Sequence, residues 1–179
     1  MMREKRRAVT PEERAEISRR ISERILADAT VGLAAANGGI VAVYLATPDE
    51  IDLAFAIKGL LARGATVVAP RWNGETYELA KLRGLGETYL RSGPMNVLEP
   101  AEADIVQPAA VSVWLVPGLA FTAGGGRVGY GGGWYDRLLA AASPGSVKLG
   151  VAYGFQIVDE IPREDHDIAL TALVADGGI

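Results

Sequence analysis

The chain has 179 residues, which fits one domain spanning 1–179 with a core of its own. It has no cysteine and one histidine, which excludes disulfides, thiolate chemistry and a multi-histidine metal centre. A net charge of -4 argues against a nucleic-acid surface, and no apolar run reaches the ~20 residues of a membrane span.

The N-terminal run MMREKRRAVT is charged and no apolar segment follows it, so it is not a secretory signal. With the lack of cysteine, this makes a cytoplasmic protein the expectation. Thr10-Pro11-Glu12-Glu13 is a capping box with proline in the first helical position. Behind it Ile17, Ile21 and Ile25 recur every four residues, which predicts an amphipathic helix. Its Arg14, Arg19, Arg20 and Arg24 form either a solvated basic face or a surface turned toward an anion.

Asn37-Gly38-Gly39 ends that pattern, and the apolar run 40–45 predicts a buried strand. A helix over 49–63 capped by Gly64, then a strand over 66–70, completes a β-α-β unit with a parallel pair. Another strand is expected at 77–82, while the proline-bearing stretch 84–110 gives no clear element. Strands at 113–116, 147–153 and 169–175 and a helix over 136–142 follow. Strands alternating with helices predict an α/β fold: a three-layer α/β/α sandwich with a mainly parallel sheet.

The densest signal is GGGRVGYGGGWYDR at 124–137, in which seven of fourteen residues are glycine. It follows a predicted strand and enters a helix. Amides at a helix start are unpaired and the local dipole favours anions, while Arg127 adds a forked cation suited to phosphate oxygens. The stretch is neither a dinucleotide fingerprint nor a Walker loop, since Trp134 stands where a third glycine belongs and no Lys-Ser/Thr follows. A flexible surface hairpin is the plainer alternative. Asp136 suits Mg²⁺, which takes hard oxygen ligands and shares them with substrate phosphates. Read alone, it is also a helix N-terminal charge. Asp167 is a second candidate metal ligand or a solvated turn residue, and His166 beside it reads as structural.

Val116-Pro117-Gly118-Leu119-Ala120-Phe121 followed by 127–137 resembles the signature of the 5-formyltetrahydrofolate cyclo-ligase family, whose members are also called 5,10-methenyltetrahydrofolate synthetases. Pro48-Asp49-Glu50-Ile51, Pro70-Arg71, Glu99-Pro100, 150–153, Gln156, Pro162 and His166-Asp167 fall in the family's order, so the resemblance covers most of the chain. It implies an α/β sandwich and ATP- and Mg²⁺-dependent closure of 5-formyltetrahydrofolate to 5,10-methenyltetrahydrofolate. The resemblance assigns Arg127, Tyr135 and Asp136 to catalysis. It assigns Arg127, Val128, Gly129, Tyr130, Gly131, Gly132, Gly133, Trp134 and Tyr135 to ATP. Leu45, Glu50, Tyr130, Gly131, Gly132, Gly133 and Trp134 would border the folate, and Asp136 and Asp167 would hold Mg²⁺. Glu50, read without the resemblance, is a carboxylate at a helix start. The expected partners are small molecules only, with no nucleic acid and no membrane, and the chain is expected to be a monomer.

Five features depart from the family's pattern. Its N-terminal Lys, with an Arg four residues later, falls before Met1 in the register set by Thr10, so that Arg7 matches a later arginine. Ser112, Thr122 and Thr171 stand at or near usual aspartates, and Trp134 replaces the commoner tyrosine. A non-catalytic folate- or nucleotide-binding paralogue is therefore the alternative reading. A different α/β ligase or kinase is a third.

Overall fold

The structure is a computed structural model and describes residues 2–162 and 167–177. Among these residues there are five helices: α1 (Met2–Ala8), α2 (Pro11–Ala27), α3 (Ala29–Ala36), α4 (Ala54–Ala62) and α5 (Trp134–Ala140). Eleven strands accompany them. β1 (Ile40–Ala42), β2 (Thr66–Trp72), β3 (Tyr77–Lys81) and β6 (Ile105–Val106) form one side of a seven-stranded sheet, and β7 (Val111–Val116), β10 (Val147–Ala152) and β11 (Ala172–Ala175) the other. β4 (Leu90–Ser92) pairs with β5 (Leu98–Pro100), and β8 (Ala120–Phe121) pairs with β9 (Arg127–Val128), as separate ribbons.

The strand order is β11-β10-β7-β1-β2-β3-β6. The five strands from β11 to β2 run parallel to their neighbours, and β3 and β6 return antiparallel. Alternate side chains face opposite sides of the sheet. Val41, Val67, Val113 and Leu149 meet Ile21, Ile25, Val31, Ile57 and Leu60 from α2, α3 and α4 on one face. Ala42, Val68, Trp114 and Val116 meet Leu138 and Leu139 of α5 on the other. These are the three layers of the expected mainly parallel sandwich.

The capping box forms as expected: the Thr10 amide donates to Glu13 Oε2 (3.0 Å) and the Glu13 amide to Thr10 Oγ1 (3.2 Å). The basic residues of α2 are mostly committed within the fold. Arg19 pairs with Glu16 and Glu23, Arg24 donates to Ala175 O, and Arg14 donates to Pro48 O and Val9 O.

One helix starts later than expected, and another forms where no element was expected. The helix placed at 49–63 starts at Ala54, because Glu50 turns its carboxylate back to close a tight turn and the Asp52 carboxylate accepts from the Ala54 amide (2.8 Å). The N-terminal basic run is a helix of its own, α1, ending where Val9 N donates back to Arg6 O.

Candidate active site

After β1 the chain moves to β2 and β3 on one side, then returns to lay β7 on the other side of β1. The carboxyl ends of β1 and β7 therefore lead away from each other, which in open parallel sheets opens a ligand crevice. A small cavity of about 10 Å³ lies there, lined by Arg6, Tyr44, Glu50, Ile51, Pro117, Gly118, Val151 and Gln156.

Glu50 reaches this point through a turn that the sequence Thr47-Pro48-Asp49-Glu50 dictates. The Glu50 amide donates to Thr47 O (3.0 Å), and Glu50 Oε2 accepts from both the amide (2.8 Å) and the hydroxyl (2.9 Å) of Thr47. One carboxylate oxygen is thus committed to the turn. The other, Oε1, accepts from the Tyr130 hydroxyl (2.5 Å). Glu50 is 8% exposed.

Arg6 comes to the same place from α1 and is 1% exposed. Its Nε donates to Asp49 O (3.1 Å), and its Nη1 donates to Gly118 O (3.4 Å) and to the Tyr130 hydroxyl. Its Nη2 lies 2.9 Å from Asp49 Oδ2 as an ion pair without hydrogen-bond alignment. Burial works against the Arg6 charge, but Tyr130, Glu50 and Asp49 outweigh it and hold its pKa above the ordinary value. Burial and then Glu50 push the Tyr130 hydroxyl far above its ordinary range, so Tyr130 stays a neutral donor.

The glycine stretch divides into two parts with separate tasks. Gly124–Gly126 build the hairpin turn between β8 and β9, where Thr122 Oγ1 accepts from the Gly126 amide (3.0 Å). Gly125 has φ +82°, and a Cβ there would stand 2.4 Å from Leu170 O. The first half is thus a hairpin, but Gly125 and Gly126 are buried, so it is not the surface hairpin of the plainer alternative. The second half, 129–133, spans from β9 to α5, and its last residue, Gly133, is the left-handed N-cap (φ +62°). Among the described residues no side chain caps this end. Since α5 has only seven residues, its dipole is short, and the anion-attracting character rests mainly on the loop amides and Arg127.

Arg127 and Asp136 are brought together by β9 and α5: Nη2 lies 2.5 Å from Oδ1, with the Arg127 side chain 4% exposed. Arg127 Nε is buried and has no hydrogen-bond partner among the described residues. The same holds for the Tyr135 hydroxyl, whose ring lies under the Arg127 guanidinium at 5.9 Å. Burial, followed by the charge of Glu50, raises the Tyr135 pKa well above its usual range. A buried cation and a buried hydroxyl, each with an unfilled donor, are the features of a polar-ligand site rather than of a finished core.

Trp134 fixes the far end of the loop. Its ring meets Trp72 of β2 and Tyr77 of β3 edge-on, at 5.3 and 5.5 Å, and the Arg137 guanidinium lies 4.0 Å over it. Leu45 is half-buried against the α2–α4 core, close behind the Glu50 turn. Asp167 is half-buried and stands three residues before Leu170, whose amide donates to Gly125 O (2.8 Å). His166 lies outside the described residues. Among those described, no cluster of three or more His, Cys, Asp or Glu could hold a metal. Magnesium needs only one or two protein carboxylates beside phosphate and water, and the hard oxygens of Asp136 and Asp167 suit it.

Sequence reasoning gave Thr47 no role, named Asp49 only within a family-like stretch, and did not single Arg6 out from its basic neighbours. Thr47 had a usable signal, since a Thr-Pro-Asp-Glu stretch directly after a strand is turn chemistry. Arg6 had none, because four of the five residues at 3–7 are basic and only the path of α1 selects one.

Fold and site together define an α/β protein with a glycine loop suited to anions, closing on a carboxylate at the switch point of the sheet. The model of the 5-formyltetrahydrofolate cyclo-ligase family matches residues 1–176, and the chain belongs to this family of enzymes. It is 30% identical to the 5-formyltetrahydrofolate cyclo-ligase of Escherichia coli K12, over 97% of this chain and 96% of that one. It is 25% identical to the mouse protein of the same name, over 93% and 86%. Its fold matches the Aquifex aeolicus 5,10-methenyltetrahydrofolate synthetase with a TM-score of 0.84 at 29% identity, covering 99% of this chain and 87% of that one. A Mycoplasma pneumoniae 5,10-methenyltetrahydrofolate synthetase shares the fold at a TM-score of 0.75 and 21% identity, covering 98% and 94%.

Proposed function

We propose that this protein converts 5-formyltetrahydrofolate to 5,10-methenyltetrahydrofolate, consuming ATP and releasing ADP and phosphate. The observation that carries this reading is the contact between Tyr130 and Glu50, 80 residues apart, which joins the glycine loop to the carboxylate pocket. A phosphoryl donor on the loop and a ring held at Glu50 would then be neighbours.

In this mechanism the formyl oxygen of the substrate takes the γ-phosphoryl group of ATP, converting a poor leaving group into phosphate. The N10 amine then attacks the activated carbon, its proton is lost, and phosphate departs. Phosphoryl transfer asks the protein for positioning and charge neutralisation more than for a covalent nucleophile, which suits a chain without cysteine. Arg127 turns its free donor, and the one now on Asp136, toward phosphate oxygens. The loop amides of 129–133 bind the same oxygens. Tyr135 keeps its proton and donates it as a hydrogen bond. Asp136 and Asp167 would hold Mg²⁺, which supplies neutralisation of the phosphate charge during transfer. Leu45, Glu50 and Tyr130–Trp134 border the folate. We read the chain as a single domain over 1–179, acting as a cytoplasmic monomer on small molecules.

The test is turnover itself. Mixing the protein, Mg·ATP and 5-formyltetrahydrofolate is expected to produce the near-ultraviolet absorbance of the methenyl product, with one ADP released per product. Folate and ATP binding without absorbance change or ADP would replace this reading with the non-catalytic paralogue.

A further inference from the structure

The Tyr130 hydroxyl does two things with one oxygen: it donates to Glu50 Oε1 (2.5 Å) and accepts from Arg6 Nη1. Glu50 Oε1 and Arg6 Nη1 therefore form a matched acceptor and donor, converging on one point at the mouth of the crevice. Neither can move away. Glu50 is held by Thr47, and Arg6 by Asp49 and Gly118. The cavity behind them, about 10 Å³, has no room for a bicyclic ring, so a ring ligand must take the place of the Tyr130 side chain. Tyr130 is 46% exposed and belongs to the glycine loop, so it is the partner that can leave.

A group that replaces this hydroxyl must present an N–H or O–H to Glu50 and, beside it, an acceptor to Arg6. The N3–H and C4=O edge of a 2-amino-4-oxopteridine has these two groups on adjacent atoms. We propose that Arg6 and Glu50 together read this edge, Arg6 donating to the 4-oxo oxygen, so that Arg6 determines specificity for a 4-oxo over a 4-amino ring. The inference rests on the reading that the folate ring binds at Glu50. A 4-amino ring presents the reverse pair there: an N3 lone pair toward Glu50 and an amino donor toward Arg6. It faces Arg6 with donor against donor, and a buried N–H that loses the Tyr130 acceptor without gaining another is costly.

The experiment is equilibrium binding without ATP, by titration calorimetry, of 5-formyltetrahydrofolate and its 4-amino-4-deoxy counterpart to the full chain. The wild type is expected to prefer the 4-oxo ligand by about 10- to 100-fold, the worth of one charge-assisted hydrogen bond. Arg6→Met should lower the ratio at least severalfold, leaving the part that Glu50 sets, and Arg6→Lys, which keeps the charge and a donor, should restore part of the loss. Tyr130→Phe should tighten binding of the 4-oxo ligand severalfold, because no hydroxyl then has to be displaced from Glu50. This variant removes no buried charge and keeps the measurement available if Arg6→Met does not fold. A 4-oxo preference unchanged in both Arg6 variants, or weaker 4-oxo binding in Tyr130→Phe, would overturn the assignment. If the wild type binds neither ligand, the folate reading of the Glu50 pocket itself fails, and this inference with it.

Discussion

At the scale of single residues, the Arg127–Asp136 pair carries the most chemistry. Arg127 is nearly buried and its one charged partner among the described residues is Asp136, at 2.5 Å, so each holds the other in a defined place before any ligand arrives. Asp136→Asn keeps the shape of the side chain and removes its charge. It should lower kcat/KM by about 10²- to 10³-fold, the usual effect of losing one electrostatic contact to developing charge. It should also cost about 1–3 kcal/mol of stability, since Arg127 stays buried with a weaker partner. Denaturant unfolding of the variant beside a turnover assay checks both. Turnover within twofold of the wild type would remove Asp136 from the reaction. Both residues were legible in the sequence because a lone arginine and an aspartate inside a glycine run have few structural reasons to be there. The hydroxyl departures were legible only as positions. The structure shows that Thr122 Oγ1 accepts from the Gly126 amide and Thr171 Oγ1 from the Lys148 amide, so each supplies a side-chain oxygen acceptor near a place where the family usually has aspartate.

At the scale of elements, the decisive joint is between α1 and the turn after β1. Its ion pair, Arg6 with Asp49, ties the N-terminal helix to the turn that carries Glu50. Burial works to raise the Asp49 pKa, but Arg6 and the Thr47 hydroxyl overcome it, and the net effect is a lowered value. A carboxylate with a lowered folded-state pKa adds stability that is fully present above its unfolded value of about 3.9 and is lost as pH falls through the folded one. Asp49→Asn should therefore destabilise by about 1–3 kcal/mol at neutral pH, and the gap to the wild type should close as pH drops below about 4. Urea midpoints measured from pH 7 downward test this, and a gap that stays constant over that range would show that the pair is not its source. The joint was only half visible in the sequence. Helix α2 announced itself through its capping box and isoleucine spacing. The late start of α4 did not, because Asp49, Glu50 and Asp52 look like ordinary first-turn acids until the backbone shows two of the three carboxylates closing local turns.

At the scale of the whole molecule, the β-α-β spacing made the parallel β1–β2 pair legible, but the order of the other parallel strands was beyond sequence pattern, since every buried strand here reads as the same apolar run. The topology matters because it gathers distant segments at one end of the sheet: α1 with Arg6, the turn after β1, the glycine loop, and Gln156, whose Nε2 donates to Gly118 O (2.8 Å) and Leu119 O (3.0 Å). A ligand that bridges so many segments should stabilise the fold as a unit. At a hundred times its dissociation constant a ligand adds about 2.7 kcal/mol, which for a chain of this size raises Tm by roughly 5–11 °C. The two halves of the site should also separate. Asp136→Asn should diminish the shift given by Mg·ATP and leave that of 5-formyltetrahydrofolate in place. Glu50→Gln retains an oxygen for the Thr47 turn but presents an amide where the ring needs an acceptor, so it should do the reverse. Thermal unfolding of both variants with each ligand alone decides the matter. If either variant loses both shifts to the same degree, the loop and the pocket act as one undivided site, and the division of labour between Asp136 and Glu50 fails.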